Sequence, residues 1–579
     1  MSTAWALKEI ASLEPALTEH FDLHSVTLRV LAARGIRTPE AITHYLHGGL
    51  LDLADPFLLP GMDLACQRIF KALREKEFIM LHGDYDVDGV TSAAITALVL
   101  QSLGGRFITY IPERKSGYGF NQSGVRFAEE KGAALIITLD CGITSEKEIT
   151  EAKQAGMDTI VIDHHQIPGS GIPKDASAVV NPWLDPQASE SFLELSAAGL
   201  AFKLACALMG DTAHRFVDIA AVGTVADVSP LVDENRLIVK AGLSLLTERS
   251  HIGFGALLKS ASHRHRRITA RHIGFIIAPR LNAGGRMDSG VPSYELLMTD
   301  NLAEAERLAG LLEKKNSDRR ATEKQMVKEA FEKCEREINF NRERVIVLWS
   351  EKWHPGVIGI VAARLVDKYY RPAIVISLAD TGKFGKGSGR SIRGFNIYHG
   401  LKAVSGHLHE FGGHEFAAGF TIDPSKLALF RAALNRYAED ALEPSHLIRP
   451  IDIDAEVPFS DLTVRLAREI ALLAPFGSGN PEPVFLTRNL RLRQPRGAVR
   501  PSGRPPLNQT AKSKFRSKFT SEFWVTDGEQ VIGISAKNEL AEKIRECEAF
   551  DLAYTLELDD WEGQASVSLV AKDIKPFQV

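Results

Sequence analysis

An acidic motif, GDYDVDG, follows an apolar run of strand length at residues 77–82. Asp84, Asp86 and Asp88 alternate along it, and neighbouring carboxylates repel one another unless a cation neutralises them. On an extended strand, alternate side chains point to one side. An Asp-rich turn or an EF-hand calcium loop would have a similar composition, but Ile95 stands where that loop needs its distal Glu. The motif therefore favours a site for another divalent metal.

Three more acidic or histidine-bearing segments end apolar runs further along the chain. Asp140 follows ALIITL, the triplet Asp163-His164-His165 follows DTIVI, and Asp227 ends a helical run. Each is weak alone, because an Asp after a strand is more often a helix cap and a histidine can be a satisfied loop residue. Parallel strands bring their carboxyl ends to one edge of a sheet. We therefore expect these groups to converge in one crevice.

The combined set of carboxylates and imidazoles suits Mn²⁺ or Mg²⁺ better than a structural zinc. Six or more candidate ligands are too many for one ion, so two divalent ions that share a bridging carboxylate fit better. Two-metal sites serve phosphoester hydrolysis by activating water and holding the leaving oxygen. The candidate metal ligands are Asp84, Asp86, Asp88, Asp140, His164 and Asp227.

A second group of residues could bind phosphate. Guanidinium groups and exposed backbone amides suit phosphate oxygens, and glycines let the backbone approach a ligand closely. There are two alternatives to phosphate binding. The arginines could be solvated surface residues, and the glycine pairs could form turns. The candidates are Arg114 in IPERKSGYG, Arg280 and Asn282 in the Gly-rich APRLNAGGR, which reads as a turn, Ser388 and Arg390 in GKGSGRS, and Gly412, Gly413 and His414 in GGHEFAAG.

The elements that must position these residues read as an α/β protein. Five apolar runs alternate with helix-like segments between residues 76 and 182, which is typical of a parallel sheet. A long charged helical pattern without Pro follows, and then a second α/β-like segment. Short alternating strands after residue 456 predict a small β-barrel. Phe519, Phe523 and Trp524 could stack on bases there, and Trp353 could do so elsewhere, although core packing is at least as common.

These patterns predict five parts. They are an N-terminal helical segment (1–45), a catalytic domain (46–300), a connecting helix (301–340), a substrate-binding domain (341–445) and a C-terminal β-barrel domain (446–579). The last part contains a basic loop at 488–518 with ten Lys and Arg residues and no Asp or Glu. The net charge of the 579-residue chain, −4, hides this segment, so the bulk charge does not exclude a polyanionic partner.

The composition also limits the location of the protein. No apolar window approaches the roughly 18–20 residues of a membrane span, and the first residues do not resemble a secretory signal. The five cysteines are scattered and form no CxxC pair, which disfavours a thiolate zinc site and a disulfide framework. We expect a cytoplasmic protein without a membrane partner.

GDYDVDG, DCG, DHH and the later Asp227 resemble the first four motifs of the DHH phosphoesterase superfamily. APRLNAGGRM, SGR and GGHEFAAG are similar to further motifs of its RecJ branch, the 5′→3′ single-strand-specific DNA exonucleases. The resemblance spans roughly residues 30–579. It implies a DHH catalytic domain, a DHHA1 substrate-binding domain and an OB-fold-like barrel. It also implies release of 5′-mononucleotides, a role in DNA repair and recombination, and a single-strand-binding protein and a helicase as partners of a monomer.

The resemblance also implies individual roles. Asp86 and Asp88 match the first-motif ligands, Asp84 is an additional acid of this branch, and Asp140 matches the acid that bridges two ions. His164 and Asp227 match the other ligands, while Asp163 and His165 lie beside the ligands or face the substrate. Arg114, Ser388 and Arg390 would hold the 5′ end, and Gly412, Gly413 and His414 would face the metals across the cleft. His82 occupies a ligand position in other branches, and its role stays open.

Two other functions compete with an exonuclease. A phosphodiesterase of short oligonucleotides or cyclic dinucleotides would share the motifs, but such enzymes generally end after the DHHA1 part and this chain continues for about 130 residues. A non-catalytic single-strand-binding scaffold would have lost ligand acids, and all of them are present.

Overall fold

The computed structural model describes residues 3–9, 20–113, 119–187, 190–248, 251–263, 267–379, 383–492, 520–526, 530–561 and 564–577. The chain divides into two compact units. The central unit comprises residues 49–448 and 477–480, and the terminal unit comprises residues 1–48, 449–476 and 481–579.

The strands, in chain order, are β1 (Thr3–Leu7), β2 (Phe78–Gly83), β3 (Arg106–Tyr110), β4 (Leu135–Leu139), β5 (Asp158–Ile162), β6 (Ala178–Val180), β7 (Ile346–Ser350), β8 (Ala373–Ser377), β9 (Gly385–Arg390), β10 (Leu408–Gly413), β11 (Ala417–Ile422), β12 (Arg449–Ile453), β13 (Ala455–Glu456), β14 (Phe485–Leu492), β15 (Thr520–Thr526), β16 (Val531–Lys537), β17 (Ala549–Trp561) and β18 (Gln564–Pro576).

The α-helices are α1 (Ser25–Ala33), α2 (Pro39–His47), α3 (Met62–Glu75), α4 (Val87–Ser102), α5 (Gln122–Lys131), α6 (Glu146–Gln154), α7 (Ala197–Met209), α8 (Val217–Ala226), α9 (Asp233–Glu248), α10 (Ile252–Ser260), α11 (Ala270–His272), α12 (Ala278–Met287), α13 (Val291–Met298), α14 (Leu302–Glu337), α15 (Ile358–Tyr369), α16 (Ile397–Ala403), α17 (Leu427–Ala441), α18 (Val464–Leu472) and α19 (Asn538–Glu546). A π-helical turn, Ile273–Ile277, joins α11 to α12.

The first sheet of the central unit confirms the predicted parallel α/β fold. Its strands have the order β3-β2-β4-β5-β6, and every pairing is parallel. Alternate residues of β2 enter two different cores: Ile79 and Leu81 pack on one face and Met80 on the other. Both faces are therefore covered, as parallel sheets require. All carboxyl ends of the strands meet at one edge, where the acidic segments begin.

The second sheet is mixed, with the order β10-β11-β9-β8-β7. Only the β7–β8 pairing is parallel. The predicted long helix is present as α14, whose 36 residues span about 54 Å. Asn301 caps its first turn by accepting hydrogen bonds from the N–H groups of Ala303 and Glu304.

The terminal unit contains the predicted β-barrel. Strands β14, β15, β16, β18 and β17 pair in sequence, and β17 pairs again with β14 to close the barrel. Residues of α1, α2 and α18 complete its core. Residues 493–518 of the basic loop, and the neighbouring Phe519, lie outside the described residues.

The prediction of a helical N-terminal segment is wrong for residues 3–7. They form β1, which pairs in parallel with β12. Trp5 anchors this strand, since its indole N–H donates to Asp573 at 2.8 Å. A contact 568 residues away in sequence left no local signal. Among the described residues, no helix combines the length and the apolar composition that a membrane span needs.

One buried ion pair should matter strongly for the central unit. Lys203 and Glu234 are 1% and 4% exposed at the side chain, with Nζ and Oε2 3.0 Å apart. Removing one partner leaves the other charge buried and unpaired. We expect Lys203→Met to lower the free energy of unfolding by about 3–5 kcal/mol, measured by urea denaturation with circular dichroism. The exposed pair Lys259–Glu306 is the control, and Lys259→Met should cost under about 1 kcal/mol. Equal effects would contradict this.

Candidate active site

The acidic motif forms the turn between β2 and α4. An extended strand would point the three carboxylates to one side, but β2 ends at Gly83 and α4 begins at Val87, so this condition is not met. Asp86 caps the helix, and its carboxylate accepts hydrogen bonds from the N–H groups of Asp88 and Gly89 at 2.9 and 3.1 Å. Backbone hydrogen bonds of the turn therefore fix the Asp86 carboxylate, and strand periodicity does not.

Asp88 lies in the first turn of α4, and its buried carboxylate contacts the N-terminus of a second helix, α7. Its two carboxylate oxygens accept hydrogen bonds from the N–H groups of Ala197 and Ala198, at 2.8 and 2.9 Å. These residues begin α7, and a helix N-terminus stabilises negative charge. Gly223 of α8 packs against the same side chain: a Cβ there would lie 3.0 Å from Asp88 Oδ1 and 2.3 Å from Thr91 Oγ1. Glycine is therefore needed for α8 to approach α4.

Asp140 follows β4 in the left-handed conformation, with φ of 64°. Non-glycine residues rarely adopt it, although Asp tolerates it better than most. The N–H of Asp140 donates to the carbonyl of Ile162 at 3.1 Å, which holds the turn beside β5. Its carboxylate oxygen Oδ1 lies 3.3 Å from His164 Nε2. The strained turn thus carries the carboxylate toward the DHH triplet.

The triplet after β5 divides into two roles. His164 faces the carboxylates, with Nε2 also 4.0 Å from Asp88 Oδ2, and burial lowers its pKa, which favours the neutral ring that a metal requires. Asp163 is turned away and binds its neighbours: it accepts hydrogen bonds from His165 Nδ1 at 2.6 Å and from the N–H of Ile143 at 3.0 Å. Asp163 therefore fixes the orientation of the His165 ring.

Asp163 and His165 shift each other's pKa values in opposite directions. Burial alone would lower the pKa of His165, but the hydrogen bond and charge of Asp163 outweigh it and raise that pKa to about 9. Burial would raise the pKa of Asp163, and the bond from His165 overcomes it and lowers the value. The two side chains form an imidazolium–carboxylate pair at neutral pH.

The structure brings all six predicted metal ligands together. Within each of three groups, the candidate ligand atoms lie within 4.8 Å of one another. The groups are Asp84, Asp86 and Asp140; Asp88, His164 and Asp227; and Asp140, His164 and His165. Asp140 belongs to two groups and lies beside the third through its contact with His164.

The electrostatics of these groups fit a cation. Burial first, and then the neighbouring carboxylates, raise the pKa values of Asp88 and Asp140 well above the usual range. A divalent ion removes the repulsion that causes the second effect. The oxygen and imidazole donors are those that Mn²⁺ and Mg²⁺ accept. The residues present therefore fit the metals expected from the sequence.

His82 lies apart from these groups. It is fully buried, with ring centroids 5.3 Å from Tyr110 and 5.1 Å from Phe120. Burial lowers its pKa to about 4, so the ring is neutral. Among the described residues it belongs to no candidate metal group. The structure gives His82 a packing role beneath the acidic turn.

The predicted phosphate ligands are only partly brought together. Arg114 lies outside the described residues. The segment of Arg280 and Asn282 was predicted to be a Gly-rich turn, and this is wrong, because both lie within α12. Arg280 is buried and donates to Glu313 of α14 at 2.5 Å and to the carbonyl of Ile276 at 2.7 Å. The bond to Glu313 joins α12 to α14, while Asn282 is half-buried.

The glycines of α12 have a packing role instead. A Cβ on Gly285 would lie 2.2 Å from the carbonyl oxygen of Tyr85 in the acidic turn. Gly285 therefore lets α12 lie directly against that turn. The Gly-rich segment supports the carboxylates from behind.

Ser388 and Arg390 do lie together on β9. Arg390 donates a hydrogen bond to Ser388 Oγ at 3.3 Å. Its guanidinium lies against Gly359, near the start of α15, where an added Cβ would be 3.1 Å from Arg390 Nη2. Burial lowers the pKa of Arg390. A hydroxyl, a guanidinium and the first turn of a helix meet here, which is a suitable combination for phosphate.

Gly412, Gly413 and His414 face the edge of the first sheet where the strands have their carboxyl ends. With Asp163 and His165 they line a cleft of about 760 Å³. Gly413 has φ of 138°, so the strand can turn at the wall of the cleft. The predicted meeting of the GGH motif and the DHH motif is therefore observed.

Sequence reasoning missed part of this cleft. Tyr398 and Phe411 line it, with ring centroids 5.8 Å apart. Neither stands in a recognisable motif, so only the fold could find them. Trp353, in contrast, is fully buried, and its indole N–H donates to Glu329 at 3.2 Å. It packs in the core and cannot stack on a base.

Comparison with known proteins agrees with this architecture. Residues 78–224 match the DHH family N-terminal domain, residues 342–440 the DHHA1 domain, and residues 453–573 the RecJ OB domain. The single-stranded-DNA-specific exonuclease RecJ of Bacillus subtilis (strain 168) is 37% identical over 559 residues, which are 96% of this chain and 69% of that protein. That of Escherichia coli (strain K12) is 31% identical over 96% of both chains.

A solved structure also resembles the whole chain. The crystal structure of RecJ from Thermus thermophilus in complex with Mn²⁺ has a TM-score of 0.81 and 29% identity, and the match covers 100% of this chain and 80% of that one. The fold and the carboxylate–histidine groups define a DHH-family phosphoesterase with a DHHA1 domain. The chain belongs to the RecJ family of single-stranded-DNA-specific exonucleases.

The carboxylate groups predict that divalent ions stabilise the protein. Mn²⁺ at 100 times its dissociation constant adds about 2.7 kcal/mol if it binds only the folded state. We expect a higher thermal midpoint with Mn²⁺, and we expect Asp140→Ala to lose most of that increase because Asp140 belongs to two groups. The exposed Asp211 is the control, and Asp211→Ala should retain the increase. An undiminished increase in Asp140→Ala would contradict the site.

Proposed function

We propose that this chain hydrolyses single-stranded DNA from the 5′ end and releases 5′-mononucleotides, with two divalent ions at the carboxylate groups. One observation carries the proposal: the group of Asp84, Asp86 and Asp140 adjoins the group of Asp88, His164 and Asp227, since Asp140 Oδ1 lies 3.3 Å from His164 Nε2. A cleft lined by the GGH motif lies next to both groups. Membership of the RecJ family supports single-stranded DNA as the substrate. The closed barrel of the terminal unit supports a long strand over a cyclic dinucleotide.

The residues divide between two ions. Asp84 and Asp86 would hold one, Asp88, His164 and Asp227 the other, and Asp140 both. Bound ions would activate water and neutralise charge on the phosphate. Similar proteins were crystallised with Mn²⁺ and with Mg²⁺, which supports either metal here.

Other residues would position the strand. We propose that Ser388 and Arg390 bind the terminal 5′ phosphate, together with Arg114. His165, which Asp163 holds in one orientation, would donate a hydrogen bond to a phosphate oxygen at the scissile bond. Gly412, Gly413 and His414 would close the cleft over the nucleotide. Arg280 and Asn282 would act through the packing of α12, since Arg280 is bonded to Glu313.

We propose the same division of labour along the chain that the sequence predicts. Residues 46–300 would carry catalysis, 301–340 connect, 341–445 bind the strand end, and 446–579 bind the rest of the strand with the basic loop 488–518. We also propose a cytoplasmic monomer that acts in DNA repair and recombination with a single-strand-binding protein and a helicase. Its family and its DNA substrate support this role.

End-labelled DNA tests the reaction. With Mn²⁺, wild-type protein should release labelled mononucleotide at once from 5′-labelled single-stranded DNA, and late from 3′-labelled DNA, while duplex DNA stays intact. Asp140→Ala should lose activity by several orders of magnitude and keep its circular dichroism spectrum. Asp211→Ala, an exposed carboxylate of the same unit, is the control. Early release from the 3′ label would refute the polarity, and full activity of Asp140→Ala would refute the two-ion assignment.

Phosphate recognition has its own test. Hydrogen bonds to a charged group contribute roughly 1.5–3 kcal/mol, so Arg390→Ala should lower kcat/KM by about 10- to 100-fold on DNA with a 5′ phosphate. The loss should be much smaller on DNA with a 5′ hydroxyl. Lys386→Ala, an exposed cation on the same strand, should affect both substrates equally. If Arg390→Ala lowers kcat/KM equally on both substrates, Arg390 does not bind the 5′ phosphate.

A further inference from the structure

A second basic segment lies in the central unit. Residues 249–287 contain eight Lys and Arg residues and no Asp or Glu. Arg280 within it is bonded to Glu313, and Lys259 is paired with Glu306. Arg286 is half-buried and donates to the carbonyl of Gly356, while Arg267 and Arg271 are exposed. This charge attracts a polyanion.

An exposed aromatic ring stands beside these arginines. Phe275 is 69% exposed on the π-helical turn, and the Arg271 guanidinium carbon lies 6.0 Å from its ring centroid. A single exposed apolar side chain needs no explanation. An exposed ring next to a guanidinium in an acid-free segment is different, because this pairing suits stacked bases flanked by phosphates.

The helical run that carries this ring also contacts the active site. Gly274 lies against α8: a Cβ added to it would lie 4.0 Å from Val225 Cγ1. Val225 precedes Asp227 by two residues. Ten residues beyond Phe275, Gly285 packs on the acidic turn at Tyr85. At 1.5 Å per residue, about 15 Å of helix separates the ring from that contact. One helical run therefore connects the exposed ring to the acidic turn.

We propose that Arg267, Arg271 and Phe275 form a binding surface for single-stranded DNA outside the catalytic cleft. A base of the strand stacks on Phe275, while the two arginines neutralise the adjacent phosphates. The surface holds the part of the strand that has not yet been degraded. This inference rests on the proposed function, because it presumes that the cleft holds the end of the same strand.

Binding and degradation of oligothymidylates test the surface. The affinity for a fluorescein-labelled 30-mer is measured by anisotropy with a chelator present, and kcat/KM with Mn²⁺ is measured on the 30-mer and on a 4-mer. The variant Phe275→Ala loses one stacked base, so its affinity for the 30-mer should fall on the order of 10-fold. Its loss in kcat/KM should be larger on the 30-mer than on the 4-mer, and Phe275→Trp should restore both. Arg271→Ala should reduce the slope of log K against log salt by about 0.7.

Matched controls lie on α17, where Leu429 is 62% exposed and Arg436 is exposed. Leu429→Ala and Arg436→Ala should leave the affinity and the salt slope at wild-type values. If Phe275→Ala behaves like Leu429→Ala, the surface does not bind the strand and the inference is wrong. If wild-type protein fails to degrade any single-stranded DNA, the proposed function itself is wrong, so the two failures can be told apart.

Discussion

The structure depends on holding like charges together in a buried place. Asp84, Asp88 and Asp140 are almost entirely buried within one crevice, and their mutual repulsion opposes folding. The fold offsets this with backbone N–H donors: the first turn of α7 holds Asp88, and the first turn of α4 holds Asp86. Small residues then let the helices close around the crevice. Gly223 and Gly285 are sites where any side chain would force a helix away.

The same constraint explains how binding and chemistry are separated. The first sheet supplies the acidic groups, and the second sheet supplies Arg390, Ser388 and the GGH strand. The DNA backbone is itself an anion, so a crevice of bare carboxylates would repel it. Cations bound in the crevice would reverse this repulsion, and His165, which Asp163 keeps in place, would add a positive group. Under the proposed assignment the cleft would then accept the strand end that the acidic groups alone would exclude.

Much of the architecture was predictable because short segments of the sequence carry the patterns that specify it. Apolar runs that end in Asp or His marked β2, β4 and β5. The long helix and the barrel also followed from periodicity. The predictions failed where a local pattern had two structural solutions. The acidic motif could continue a strand or turn into a helix, and the hydrogen bonds of Asp86 select the helix. The Gly-rich segment could be a turn or a close-packed helix, and the contact of Gly285 with Tyr85 selects the helix.

The sequence by itself determined the chemistry of this protein: which side chains can hold metals, and that all of them except Asp227 follow parallel strands. It could do so because residue types and the alternation of strands and helices along the chain are visible in local patterns. Only the tertiary structure decided how each remaining group is used. Arg280 is bonded to Glu313 of a helix distant in sequence, and Trp353, a candidate stacking ring, is fully buried. Phe275 carries no motif, yet the fold leaves it exposed beside Arg271. Burial and pairing depend on which distant segments meet, and no local pattern records that.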